Sequence, residues 1–233
     1  MALAQGVTSA NTVGFTTNET VSGYNFVGIP FVSIGQNTAS IQQLSVIGAD
    51  GWGGEVFEIW DGDPAPTVGY TYLDPANDIS GEAESFYWGD DNYAAASFAI
   101  QPGQAAVLSG FNGDLVIRSV GQVSDAAITF ETVSGYNFIA NSFAAPIDIQ
   151  DIAISGADGW GGEVFEIWDG DPAPTVGYTY LDPANDISGE AQGFYWGDDS
   201  YGAATFAIQP GQAAVLSGFN GNLTGTISSP YSL

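Results

Sequence analysis

The sequence predicts an all-β protein made of two tandem antiparallel β-sandwich domains, immunoglobulin-like or jelly-roll-like. Three observations carry that expectation. Residues 48–83 return unchanged as 156–191, and extending the match at the offset of 108 (156 − 48) to 113 and 221 leaves five differences in 66 positions (84/192, 85/193, 92/200, 94/202 and 97/205). Turn residues punctuate each copy every 8–12 residues or so, roughly the spacing of short strands in a sandwich. No stretch carries the helical period of an amphipathic helix.

A unit of about 110 residues has the size of one sandwich, not of a solenoid repeat. The block TVSGYNF at 20–26 recurs at 132–138 with an offset of 112, so the second copy lacks four residues (112 − 108) between the two blocks. The expected organisation is a leader or N-terminal extension over 1–10, one module over 11–123 and a second over 124–233.

Within the first copy, 11–17 reads as a strand because Thr, Val and Phe suit a pleated surface. Over 21–32, Tyr24 and Phe26 point one way and Asn25, Val27 and Ile29 the other, until Pro30 ends the strand or marks an edge. In 41–47, Leu44 and Val46 share a face. A loop holding Trp52 leads to 55–60, which is apolar on both faces with a carboxylate on each. The turn Asp61-Gly62-Asp63-Pro64 connects to 68–73, where Val68, Tyr70 and Tyr72 align. Loop 74–85 has room for one helical turn, and 86–88 is a short aromatic strand. After a strand at 95–100, Gln101-Pro102-Gly103-Gln104 calls for a type II turn. Strands 105–110 and 115–120 meet at Asn112-Gly113, the strongest hairpin signal in the chain.

The chain has 27 acidic residues against one basic residue, Arg118, for a net charge of −26, yet only 12% of it is charged. The acidity therefore comes from missing cations, and the aromatic content argues against a disordered acidic tail. Such a surface cannot neutralise phosphates, which excludes nucleic acid and anionic membranes as partners, and no apolar run suits membrane insertion. Cysteine, histidine and lysine are absent, which removes the thiol nucleophile, the commonest general base and the Schiff-base former. Glu55 and Glu58 are the pair a two-carboxylate glycosidase would need, but as close neighbours on one strand they do not converge on a substrate. No enzyme is expected. Small residues at Ala2 and Ala4 fit the end of a secretory signal, although no basic start or full apolar region is present, and secretion to the cell exterior or surface is expected.

The order Gly23-Tyr24-Asn25, Pro30, Trp60-Asp61, Tyr70 and Tyr72, then Pro102-Gly103, resembles a module of secreted and cell-surface proteins of planctomycete and verrucomicrobial bacteria. The second copy carries the pattern at Gly135-Tyr136-Asn137, Trp168-Asp169, Tyr178, Tyr180 and Pro210-Gly211. It departs where Gln104-Ala105-Ala106 and Gln212-Ala213-Ala214 stand in place of the family's Gly-Phe-Phe, and Pro30 has no counterpart in the second copy. The resemblance implies a β-sandwich outside a cell and no reaction.

Two constellations are candidates for function. Asp61, Asp63, Asp74, Asp78, Asp90 and Asp91 recur as Asp169, Asp171, Asp182, Asp186, Asp198 and Asp199. Loops rich in such oxygens suit Ca²⁺; the competing reading is that Asp simply initiates turns. Trp52, Trp88 and Tyr93, with Trp160, Trp196 and Tyr201, suit a sugar-binding platform, against the plainer reading of core and cross-strand packing. The expected function is an extracellular structural protein that assembles with copies of itself into a filament or surface layer, 11–17 or 225–233 completing a sheet edge in a neighbour. The alternative is a carbohydrate-binding surface module with a glycan as partner.

Overall fold

The computed structural model describes residues 13–60, 66–77, 85–111, 115–168, 174–185, 193–219 and 222–231. The first copy contributes β1 (Val13–Glu19), β2 (Gly23–Val27), β3 (Ala39–Ser40), β4 (Leu44–Ile47), β5 (Trp52–Trp60), β6 (Pro66–Leu73), β7 (Tyr87–Gly89), β8 (Ala99–Ile100), β9 (Ala106–Phe111) and β10 (Val116–Gln122). These form a three-stranded sheet β1-β10-β4, a five-stranded sheet β2-β9-β5-β6-β7 and a short pair β3-β8. Every pairing is antiparallel. First strand pairs with last, and chain neighbours β1 and β2 lie in different sheets, an order of the jelly-roll kind.

The second copy repeats the plan with β11 (Ile128–Glu131), β12 (Asn137–Ala140), β13 (Ile147–Asp148), β14 (Ile152–Ser155), β15 (Trp160–Trp168), β16 (Pro174–Leu181), β17 (Tyr195–Gly197), β18 (Ala207–Ile208), β19 (Ala213–Ser217) and β20 (Thr224–Ile227). Its sheets are β11-β20-β14, β12-β19-β15-β16-β17 and β13-β18. The protein is thus all-β and sandwich-like, with no α-helix among the described residues.

Three expectations need correction. β9 and β10 belong to different sheets, so the Asn112-Gly113 connection crosses between sheets and is not a hairpin; residues 112–114 themselves lie outside the described ones. The segment expected over 95–100 is strand only at Ala99–Ile100, and 41–43 is a 3₁₀ turn in front of β4. Of the segments expected to be donated, 13–17 and 225–227 pair within the chain: β1 pairs along its whole length with β10, and β20 is the central strand of its sheet; 11–12 and 232–233 lie outside the described residues.

Each copy has its own core. In the first, Phe57 and Ile59 from the inner face of β5 pack with Trp88, Leu108, Ile41 and Leu44. Gln42 stands in for a missing strand partner here: its amide nitrogen donates to Trp88 O (2.8 Å) and Ala96 O (2.9 Å), and its oxygen accepts from Trp88 N (3.0 Å). Gln150 repeats all three bonds around Trp196 and Ala204.

A third core joins the copies, with Phe26, Trp60, Ala105 and Val107 meeting Ala140, Trp168, Ala213 and Val215. This is why β5 and β15 read as apolar on both faces: one face fills the module and the other fills the junction. The junction is pseudo-symmetric. Gly28 N donates to Gly211 O (2.8 Å) and Ala140 N, at the equivalent position, donates to Gly103 O (2.9 Å). Phe26 meets Trp168 edge-on at 5.6 Å and Trp60 meets Phe138 at 5.5 Å. Such reciprocity is the pattern of an isologous contact, formed here within one chain.

The Gly-Tyr-Asn signature serves this junction. Gly23 turns at φ 96, and Tyr24 packs on Trp60 at 5.3 Å. Asn25 accepts from Val21 N (2.7 Å) and donates to Val21 O (3.0 Å), closing the bend before β2.

Candidate functional site

The expected metal ligands divide into two groups. Asp61, Asp63, Asp78, Asp169, Asp171 and Asp186 lie outside the described residues. Of the others, Asp74 accepts from Ala76 N (2.8 Å) and Asp182 from Ala184 N (2.7 Å). Asp90 accepts from Asn92 N (2.8 Å) and Ala94 N (3.1 Å), and Asp198 from Ser200 N (2.8 Å) and Gly202 N (3.1 Å). These four carboxylates hold turns, each spending an oxygen on backbone amides, while Asp91 and Asp199 are exposed beside them. Among the described residues no three ligating side chains gather into one cluster.

The aromatic set also separates. Trp88 and Trp196 are wholly buried, their indole N–H groups donating to Leu44 O and Ile152 O, each at 2.9 Å. They belong to the cores and have no face to offer a sugar, because β7 and β17 turn them inward. Tyr93 and Tyr201 sit half-exposed at left-handed turns, φ 60 and 61. Trp52 and Trp160 stand out in solvent, 85% and 84% exposed.

Trp52 borders an open cleft of about 370 Å³, lined by Gly48, Asp50, Gly54, Glu55, Gly110 and Leu115. Glu55 shares the inner face of β5 with Phe57 and is only 6% exposed, and its Oε2 has no hydrogen-bond partner. Glu163 repeats this at 5% exposure with its own Oε2 unpartnered, while its Oε1 accepts from Asp158 N (3.3 Å). Burial pushes the Glu55 carboxyl above its ordinary 4.5; the charge of Asp50 adds to this, and the backbone N–H groups of Glu55 and Asp50 pull the other way. Glu58 points to the opposite face, where it accepts from Trp60 Nε1 (3.0 Å), so Glu55 and Glu58 share no substrate space. Sequence reasoning missed the pairing of Asp50 with Glu55. The available signal was a carboxylate at an inward position of an otherwise apolar strand.

A second feature lies on the outer face of the sheet β1-β10-β4. There Val13, Phe15, Val120 and Ile47 are all exposed, Phe15 at 70%. Phe15 pairs with Val120 and Thr17 with Arg118, so the chain's one basic residue stands beside the apolar patch. In the second copy the corresponding positions, at offsets of 112 and 108, are Asp125, Ala127, Ser228, Ser155 and Thr226. The copies are nearly identical over 48–113 and 156–221 and unlike on this face. No family model, curated protein or solved structure matches the chain.

Proposed function

We propose that the protein is a structural component outside the cell that assembles head to tail with copies of itself. The observation that carries this reading is the outer sheet of the first copy, apolar and bearing Arg118, where its twin is polar. An exposed apolar patch of this kind marks a contact surface. Its partner should be acidic, and a second copy of this chain is acidic over its remaining surface. Patch against patch would set two Arg118 side chains close together. Patch against a different surface pairs the arginine with a carboxylate, and a contact between unlike surfaces propagates instead of closing.

Covering Val13, Phe15 and Val120 stabilises one contact by at most about 9 kcal/mol, taking ~1.5–3 kcal/mol for each side chain. Association itself costs about 4–15 kcal/mol, so a single contact is weak and sensitive to repulsion between chains of charge −26. Salt, which shortens the screening length to about 8 Å at physiological strength, should therefore promote assembly. The test is sedimentation and negative-stain imaging of the full chain at increasing salt, alongside Phe15→Ala/Val120→Ser and Arg118→Thr, which install the second copy's residues. Regular polymers are expected for the parent protein and monomers for both variants, with melting little changed. A parent chain that stays monomeric, or variants that polymerise equally, overturns the reading.

A second reading, a carbohydrate-binding surface module, is favoured by the two solvent-exposed indoles of Trp52 and Trp160. Retention on immobilised glycans that disappears in Trp52→Ala/Trp160→Ala would select it.

A further inference from the structure

We propose that the cleft between Asp50 and Glu55, and its copy at Asp158 and Glu163, each bind one divalent cation of the hard, oxygen-seeking kind, such as Ca²⁺. The starting point is the orphaned Oε2 of Glu55 and of Glu163. Leaving a buried carboxylate oxygen without a partner is costly, and structures normally satisfy such groups. The usual remedy, a lysine or arginine beside it, is closed to this chain: its only basic residue, Arg118, belongs to the outer face of β10, paired with Thr17 and Ser45.

The position argues for a ligand. A carboxylate lost in the core would be a packing defect, whereas Glu55 lines an open cleft that an ion can enter, and Asp50 lines the same cleft. Two carboxylates within electrostatic reach of each other repel unless a cation lies between them. Three of the other lining residues are glycines, Gly48, Gly54 and Gly110, so no side chain shields the backbone from an ion or its waters. Ca²⁺ characteristically completes its shell with carbonyl and water oxygens around one or two carboxylates. The orphan recurs in the second copy, where Gly110 and Leu115 become Gly218 and Leu223. Asp50 and Asp158 also brace a turn, each Oδ1 accepting from Trp52 N or Trp160 N at 3.0 Å; what sets this pair of sites apart from the other turn aspartates is the buried, unpartnered glutamate oxygen beside each.

Terbium, a luminescent stand-in for Ca²⁺, makes the test direct because Trp52 and Trp160 stand beside the proposed sites and can sensitise it. The full chain is titrated with Tb³⁺ at low ionic strength, then with Ca²⁺ as competitor, and its melting temperature is read with Ca²⁺ and with chelator. The expected result is sensitised emission saturating at two ions per chain, displacement by Ca²⁺ and a higher melting temperature in Ca²⁺. Glu55→Gln/Glu163→Gln should weaken binding on the order of tenfold or more. Asp50→Asn/Asp158→Asn, at exposed positions that leave the core untouched, should do the same even if the first variant folds poorly. Trp52→Phe/Trp160→Phe should dim the emission and keep the Ca²⁺ effect on melting. Neither readout depends on self-assembly. Absence of both effects in the parent chain, or their survival in the glutamine and asparagine variants, overturns the proposal and assigns any bound ion to other carboxylates.

Discussion

Phe26 and Phe138, the same position in the two copies, stack face to face across the junction with centroids 6.0 Å apart and ring planes only 7° from parallel. A residue that meets its own counterpart marks the pseudo-twofold axis. Close to it, Gly28 faces Ala140, again equivalent positions, and a Cβ built on Gly28 would come within 2.4 Å of the Ala140 methyl.

The first prediction concerns that pair. Gly28→Ala should destabilise the protein by about 1–3 kcal/mol through overpacking, read from denaturant unfolding. Combining it with Ala140→Gly should recover part of the loss, since the clash lies between two β-carbons. Equal losses for the single and the double variant would place the strain elsewhere, in the backbone at Asn141 O.

Gln42→Ala removes the side-chain partner of two backbone groups, Trp88 N and Ala96 O, while Trp88 O keeps its bond from Ala96 N (2.8 Å). Leaving buried backbone groups unsatisfied costs about 1–3 kcal/mol each when water cannot reach them, so a loss of at least about 2 kcal/mol is expected. Amide exchange at Trp88 should accelerate with it. Gln150→Ala should match it in size, and a near-neutral result for both would mean that water replaces the amide.

Arg118 offers trypsin its one site, yet it lies in the central strand of its sheet with partners on both sides, Thr17 and Ser45. A protease needs the strand pulled free. Cleavage of the native protein should therefore be slow and should rise with denaturant in step with global unfolding, giving two fragments. Rapid cutting without denaturant would show that β10 opens locally.

The hydroxyls of Tyr72 and Tyr180 accept from Val46 N (3.1 Å) and Ile154 N (3.2 Å). Burial holds both phenols above their ordinary value of 10.0; these backbone bonds pull the other way, and the charges of Glu55 and Glu163 add to the rise. The folded state thus keeps protons that the unfolded chain gives up, and stability should fall as pH rises above about 10. Tyr72→Phe should cost about 1 kcal/mol at neutral pH, and its deficit against the parent should shrink in alkali. A deficit that stays constant would contradict this.

Much of the fold was legible because it rests on local pattern. The alternation of Tyr24 and Phe26 against Asn25 and Val27 survives in β2, and the Pro-Gly turn has Gly103 at φ 83, as a type II turn requires. The faces of β5 were legible too, although nothing local said that the second face meets another module. The Asn112-Gly113 signal misled because a turn residue reports a bend, while the sheet that receives the next strand is decided by partners about a hundred residues away, such as Thr17 for Arg118. The cleft was hidden for a similar reason. Asp50 and Glu55 share it across a bend at Gly51, held at φ 69 where a Cβ would strike Asp74 N at 2.6 Å, and that contact is long-range. The buried Trp88 and the exposed Trp52 look alike in sequence and differ only in which side of their strand is covered.

The junction core also sets a schedule for synthesis. The first copy leaves the ribosome with Phe26, Trp60 and Val107 bare on one side of its finished sheet, and the matching surface arrives about 108 residues later, the repeat offset. At about 5–20 residues per second, that interval lasts about 5–22 s. During it, neighbouring nascent chains on one message present each other with the same face, and Gly28 meeting Gly28 raises no steric barrier. Like charge is what remains to keep them apart, so the scarcity of lysine and arginine protects the chain before it has finished folding.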